Sequence, residues 1–295
     1  SFAASRIVPA MKIHEIYKGM TQVHFMNTLA LTNDFQSIAN KLKEISPYVL
    51  SKSSVRAAIT CDHETVESNE DALSKLLKEL PERESRPLEQ SEFQIKNEKA
   101  FFPLPFSVNF SAECFKGVPY THPDGAKLQI LSSLMRTHYL HREIREKNGA
   151  YGGGATYSST SGIFSFFSYR DPKALETLET YRQSIDWVLK RKFTQQEIDE
   201  AKLSIFQGID APISVSQEGM VYFTDRISDD LRQKRREQLL AVTEDDVKYA
   251  AITYLKQHET KKDYSIAIIG EENEEIEKNN EYNVYRMKID EANES

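Results

Sequence analysis

Apolar residues at Ile13, Ile16, Tyr17, Met20 and Val23 recur at helical spacing and predict a helix over residues 13–31. Thr32-Asn33-Asp34 then offers N-cap chemistry for a second helix carrying Phe35, Ile38, Leu42 and Ile45, with Pro47 as its expected stop. The run Val55 to Asp62 reads as a short strand, and Ala72, Leu73, Leu76, Leu77 and Leu80 mark another helix, stopped by Pro81. Residues 81–99 are polar and rich in charge, with prolines at 81 and 87, the composition of a surface linker; the domain boundary is placed there.

Beyond the linker the period changes. Phe102, Leu104, Phe106, Val108 and Phe110 alternate with polar residues and prolines, which predicts one strand with an apolar face, at an edge or strand start. The next helix is apolar on most sides through Leu128, Ile130, Leu131, Leu134 and Met135, then strongly charged, and it carries Arg142 and Arg145. Strands over 150–157 and 163–169 read as an antiparallel hairpin, and Asp171-Pro172 opens a helix with Leu175, Leu178, Ile185 and Leu189 inward. Thr194 to Glu197 spells a capping box, and Asp210-Ala-Pro212 interrupts the helical run that follows it. Helical segments resume near Ser216, Asp229 and Thr243, a strand follows over 264–269, and the acidic tail from Glu271 is expected to pack loosely. Leu29 to Asp34 also echoes Leu240 to Asp245, an offset of 240 − 29 = 211 residues shared by the strands at Val55 and Ile266. Such an echo is either a repeat of domain length or two similarly capped amphipathic helices.

At 295 residues, 39% hydrophobic and 28% charged, the chain can bury one large core or two ordinary ones. A net charge of −7 argues against a nucleic-acid role, and the basic run Arg232 to Arg236, beside Asp229 and Asp230, reads as a solvated helix face. Cys61 and Cys114 are too few for a disulfide framework and suggest a reducing compartment. Neither an apolar span of membrane length nor a secretory leader is visible, so no membrane partner is expected.

The stretch 141–157, HREIREKNGAYGGGATY, is where candidate chemistry gathers. Lys147-Asn148-Gly149 is a helix stop, since Asn and Gly tolerate the left-handed conformation and a cation suits a helix C-terminus. Tyr151, Gly153, Ala155 and Tyr157 would share one face of the next strand, with the glycines leaving room for another backbone. By residue type alone this is also what an ordinary glycine-rich strand start looks like. A phosphate loop is excluded, because the glycines follow the helix and match neither nucleotide motif.

The segments REIREKNGAYGGGA, IFSFFSYRDP, KFTQQEIDEAKLSIFQGIDAP and REQLLAV resemble the C-terminal part of the mitochondrial presequence proteases, within the pitrilysin-type zinc metallopeptidases. The resemblance covers nearly all of residues 1–270 and is densest over 106–242. It implies an α+β fold with an antiparallel-rich mixed sheet packed with helices. In that family four related α/β domains form two halves around a chamber; residues 1–95 would be the end of the third domain plus linker, and 96–295 the fourth. The family's zinc motif, H-x-x-E-H, is absent, although seven histidines stand at 14, 24, 63, 122, 138, 141 and 258. His138 and His141 are three apart but lack inward carboxylates, so they read as surface or interface residues. No metal bound by this chain is therefore expected, and the zinc of the full-length enzyme would lie outside it.

The resemblance assigns catalytic roles to Arg145 and Tyr151, which would reach across the chamber to the scissile peptide, with Gly152 and Gly153 as substrate-binding residues. Arg142 is expected to be a surface charge. The implied partners are the N-terminal half of the same protein and unstructured peptides, the implied location the mitochondrial matrix, and the chain alone would be inactive. The alternative is a non-catalytic relative, such as a processing-peptidase partner subunit or a respiratory-complex core protein.

Overall fold

Among the described residues the period-of-two segments assemble into six strands: β1 (Lys99–Pro103), β2 (Asn109–Lys116), β3 (Gly152–Ser158), β4 (Ile163–Asp171), β5 (Tyr264–Gly270) and β6 (Tyr282–Val284). The structure is a computed structural model; it describes residues 1–83 and 96–287. Its larger unit comprises Ser1–Asn27, Gln94–Ala211 and Asp229–Ser295, and its smaller one Thr28–Phe93 and Pro212–Ser228.

In the larger unit the sheet order is β3-β4-β2-β5-β1-β6. The pairs β3/β4, β4/β2 and β2/β5 are antiparallel, and β5/β1 and β1/β6 are parallel, which is the mixed, antiparallel-rich sheet expected. Strand alternation sorts the side chains by face. Phe101, Phe115, Phe164, Phe166, Ile266 and Ile268 join the main core with helical residues such as Leu131, Ile144, Tyr181 and Leu255. Ala100, Phe102, Cys114, Ile163 and Ala267 point the other way and are covered by Phe2, Ala3, Ala4 and Ile7.

Several expectations change. The alternation over 102–110 is two strands, because Pro103 ends β1 and Pro105 has no N–H to donate, and β5 separates β1 from β2 in the sheet. The helix predicted over 13–31 breaks at Gly19 into Pro9–Lys18 and Met20–Thr32. The buried Glu15 carboxylate folds over that break and accepts from Thr21 N (2.9 Å), in the space a Cβ at residue 19 would take. The described part of the tail, residues 272–287, packs into the fold: Ile276 is buried, β6 pairs with β1, and Tyr285 stacks on Phe102 with centroids 5.1 Å apart.

The smaller unit holds the helices Phe35–Val49, Val66–Glu79 and Met220–Asp225. Asp34 caps the first, accepting from Ser37 N at 3.0 Å. Pro47 lies inside that helix; it falls in the last turn, where the Lys43 carbonyl it leaves without a backbone donor accepts from Ser46 Oγ (3.4 Å). The strand expected over 55–62 is not formed: the segment is exposed and without regular secondary structure, and no strand pairs with it among the described residues. The echo of residues 29–34 at 240–245 thus keeps its capped helices and loses its strand. Most of the expected linker, residues 84–95, lies outside the described residues.

One buried charge gives the larger unit a pH signature. Glu113 on β2 is fully buried, and neither carboxylate oxygen has a hydrogen-bond partner. Burial pushes its pKa up to about 7 against an opposing pull from Arg182. The unfolded chain releases this proton near the ordinary carboxylate value, so the contribution is full below about pH 4.5 and is lost as pH rises to about 7. Glu113→Gln is expected to flatten the melting temperature between pH 5 and 8, where the wild type declines by the equivalent of roughly 3 kcal/mol.

Candidate functional site

The charged half of the long helix, Arg136–Lys147, is wound with π geometry and closes at Asn148-Gly149 as the residue types dictate. Asn148 N donates to Glu143 O (3.2 Å), Gly149 N to Arg145 O (3.2 Å) and Ala150 N to Ile144 O (3.1 Å), with Gly149 at φ +82°. This closure turns the chain from helix into β3 within a few residues. Tyr151 N donates to Arg170 O (3.2 Å), extending the β3/β4 ladder by one residue before Gly152.

Arg145 sits in the last helical turn, exposed, with its Nη1 3.5 Å from His141 Nε2. Among the described residues no carboxylate pairs with it. Arg142, one turn earlier, differs: its guanidinium forks onto Glu143 through Nε (3.1 Å) and Nη2 (2.8 Å), and Lys147 reaches the same carboxylate. Those two cations hold the Glu143 carboxyl below its ordinary pKa despite partial burial. Tyr151 is 61% exposed, with its ring against Tyr169 (centroids 5.6 Å) and under the Arg170 guanidinium (5.6 Å). The turn between Arg145 and Tyr151 leaves both exposed to solvent.

The glycine run seats the helix on the strand. A Cβ at Gly153 would lie 2.8 Å from Phe167 O and 3.0 Å from Ile144 Cγ2, one at Gly154 would lie 2.8 Å from Arg136 Cγ, and one at Gly152 would lie 2.5 Å from the Tyr169 hydroxyl. Side-chain space at all three is therefore taken by the protein itself. Because Tyr151 bonds to β4, alternation turns the N–H and C=O of Gly152 and Gly154 outward along the free edge of the sheet. Gly153→Ala is expected to cost about 1–3 kcal/mol, since the nearest obstacle is backbone. A drop in melting temperature of less than 1 °C would show that the helix can shift freely.

Tyr169 and Arg170 are the residues of this site that sequence reasoning missed. They lie within the segment that carries the family resemblance, yet nothing in residue type signals their placement, which follows from an irregularity in β4. Elsewhere in the larger unit, an open groove of about 560 Å³ is lined by Tyr139, Gln183, Asp186, Trp187, Lys190 and Arg191, none of them a candidate site residue. Among the described residues no three His, Cys, Asp or Glu side chains are grouped so as to hold a metal ion. His138 faces Glu197 (3.8 Å) and His141 faces Glu146 (3.5 Å).

A family profile described as the PreP C-terminal domain matches residues 99–272. The mitochondrial presequence protease of Yarrowia lipolytica is 42% identical over 282 residues, covering 94% of this chain and 28% of that protein. The mitochondrial presequence protease of Schizosaccharomyces pombe is 41% identical over 275 residues (92% and 27%), and that of Mus musculus 36% over 307 residues (94% and 29%). The chain thus spans little more than a quarter of the length of these relatives. Among solved structures, pitrilysin superposes with a TM-score of 0.53 at 13% identity, covering 76% of this chain and 25% of pitrilysin. A Helicobacter pylori protease superposes at 0.54 and 16% identity, covering 70% of this chain and 52% of that one. Those two share the fold; with a profile over most of the larger unit and relatives near 40% identity along nearly the whole chain, this chain belongs to the presequence protease family, as a C-terminal part of it.

Proposed function

We propose that this chain is the substrate-clamping, C-terminal portion of a mitochondrial zinc metalloendopeptidase that degrades unstructured peptides such as presequences, working in the matrix. The observation that carries the reading is the pair Arg145 and Tyr151, both exposed at one helix-to-strand turn, with Arg145 free of carboxylates while Arg142 is tied down. An always-charged guanidinium presents a fork of donors to substrate carbonyls, and a phenol hydroxyl donates to the oxyanion of the tetrahedral intermediate. Gly152 supplies outward backbone groups at the sheet edge to which an extended peptide can add, and Gly153 keeps the helix close enough to hold Arg145 beside that edge. The zinc is assigned to the N-terminal part of the full-length protein. A non-catalytic scaffold has no use for an exposed Arg that no carboxylate neutralises among the described residues and an exposed Tyr at one turn, which weighs against that alternative.

The domain proposal has 1–95 closing a third α/β domain and 96–295 forming the fourth, while the compact units assign Ser1–Asn27 to the larger unit and Pro212–Ser228 to the smaller. Its support is the smaller unit's unmet apolar face. Along one helix Phe35 is 73% exposed, Leu42 63%, Ile45 51% and Val49 59%, although they lie on one side of it. Upstream sequence of the full-length protein is the partner that would cover it. The test is to mix the chain with the N-terminal half and a fluorogenic peptide: hydrolysis is expected with both and not with either alone. Hydrolysis by this chain alone would overturn the assignment of the metal and the general base.

A further inference from the structure

Arg170 is held in a backbone conformation that L residues avoid, at a bulge that aims it at Tyr151. Opposite it the β2/β4 register slips: Asn109 pairs with Asp171, but Ser111 pairs with Ser168, so β4 carries one residue more than β2 over this interval. Such an extra residue bends the strand and re-aims side chains. Without it, alternation would put residue 170 on the same face as Ser168, which is buried and bonded to Ser111 Oγ (2.8 Å). With it, the neighbouring Asp171 takes the buried place and Arg170 emerges to solvent. Arg170 has φ +49°. The other non-glycine residues at positive φ, Asn33, Arg226 and Lys262, lie at helix ends, where that conformation is routine, whereas Arg170 lies within a strand.

The outlier coincides with a specific contact. The Arg170 guanidinium sits 5.6 Å from the centroid of the Tyr151 ring, with Tyr169 against the same ring, and among the described residues no carboxylate pairs with it. A cation over a phenol ring fixes the ring's orientation and draws electron density from it, which makes the hydroxyl a stronger donor. Strain kept at a residue that any glycine or asparagine would relieve points to a role beyond folding.

We propose that Arg170 is a positioning residue for Tyr151: it orients the phenol and strengthens its donation to the oxyanion formed from a peptide carbonyl. This rests on the peptidase reading above. The experiment compares Arg170→Asn, which accepts positive φ without charge, Arg170→Lys, which keeps the charge, Tyr151→Phe, and the double variant Arg170→Asn/Tyr151→Phe, all in the full-length enzyme with a fluorogenic peptide. Arg170→Asn is expected to lower kcat by about five- to thirtyfold, with KM within about twofold and the melting temperature unchanged or raised. Arg170→Lys should recover most of the rate, and the double variant should be no slower than Tyr151→Phe alone. Wild-type kcat in Arg170→Asn, a loss confined to KM, or a loss that adds in full to that of Tyr151→Phe would each overturn the proposal. If Arg170→Asn is unaffected while Tyr151→Phe is crippled, the positioning role fails and the peptidase reading stands; if Tyr151→Phe is itself unaffected, that reading fails first.

Discussion

Tyr151→Phe in the full-length enzyme is expected to lower kcat by about two to three orders of magnitude while the protein melts at its wild-type temperature. Tyr151 is 61% exposed, with Tyr169 and Arg170 against its ring, so removing one oxygen leaves the packing of the ring in place. In the proposed role, what is lost is a donor to charge that develops in the transition state, and one such donor typically contributes about 3–4 kcal/mol. Because the loss falls on the transition state, kcat should fall far more than KM rises. Arg145→Ala should behave differently. In the proposed role Arg145 also binds the substrate in the ground state, so KM should rise together with the fall in kcat. Steady-state kinetics with a fluorogenic peptide separate the two, and an unchanged kcat for Tyr151→Phe removes the tyrosine from the mechanism.

The largest effect on stability is expected at Phe166. Its ring is fully buried, stacked on Tyr181 (centroids 5.1 Å, planes 13° apart) and edge-on to Phe164 (5.3 Å) and Phe115 (6.0 Å). Truncation to Ala removes the middle of this aromatic layer and leaves a cavity that the stiff sheet cannot close, at a cost of about 3–5 kcal/mol. For a unit of this size that corresponds to a melting temperature lower by roughly 6–20 °C, measured by circular dichroism. Phe166→Leu fills much of the space and should lose less than half as much. Since β4 carries both Phe166 and the bulge at Arg170, Phe166→Ala should also reduce turnover in the full-length enzyme.

Much of the larger unit was legible because its elements are bounded by local chemistry. The Thr194–Glu197 capping box, the Asn148-Gly149 helix stop and the β3/β4 hairpin all form where residue types place them. Each depends on a few neighbouring residues whose preferences agree with the fold. The failures share the opposite property. Val55 to Asp62 has strand composition, but a strand exists only when another chain segment satisfies its hydrogen bonds, and none does so here among the described residues. The tail beyond Glu271 reads as polar and loose, yet Ile276, Tyr282 and Tyr285 find places beside β1 that only the assembled sheet creates.

The candidate site divides along the same line. By itself the sequence determined a charged helix that ends at a glycine and an Arg and a Tyr six residues apart on either side of that stop. Tertiary structure alone decided that Ile144, Phe167, Arg136 and Tyr169 fill the space at the glycines, and that a bulge turns Arg170 onto Tyr151. The physical reason is range. Caps, turns and ion pairs within one helix are settled by contacts between near neighbours in the chain, whereas the packing at the glycines and the register of β4 against β2 depend on which distant segments meet.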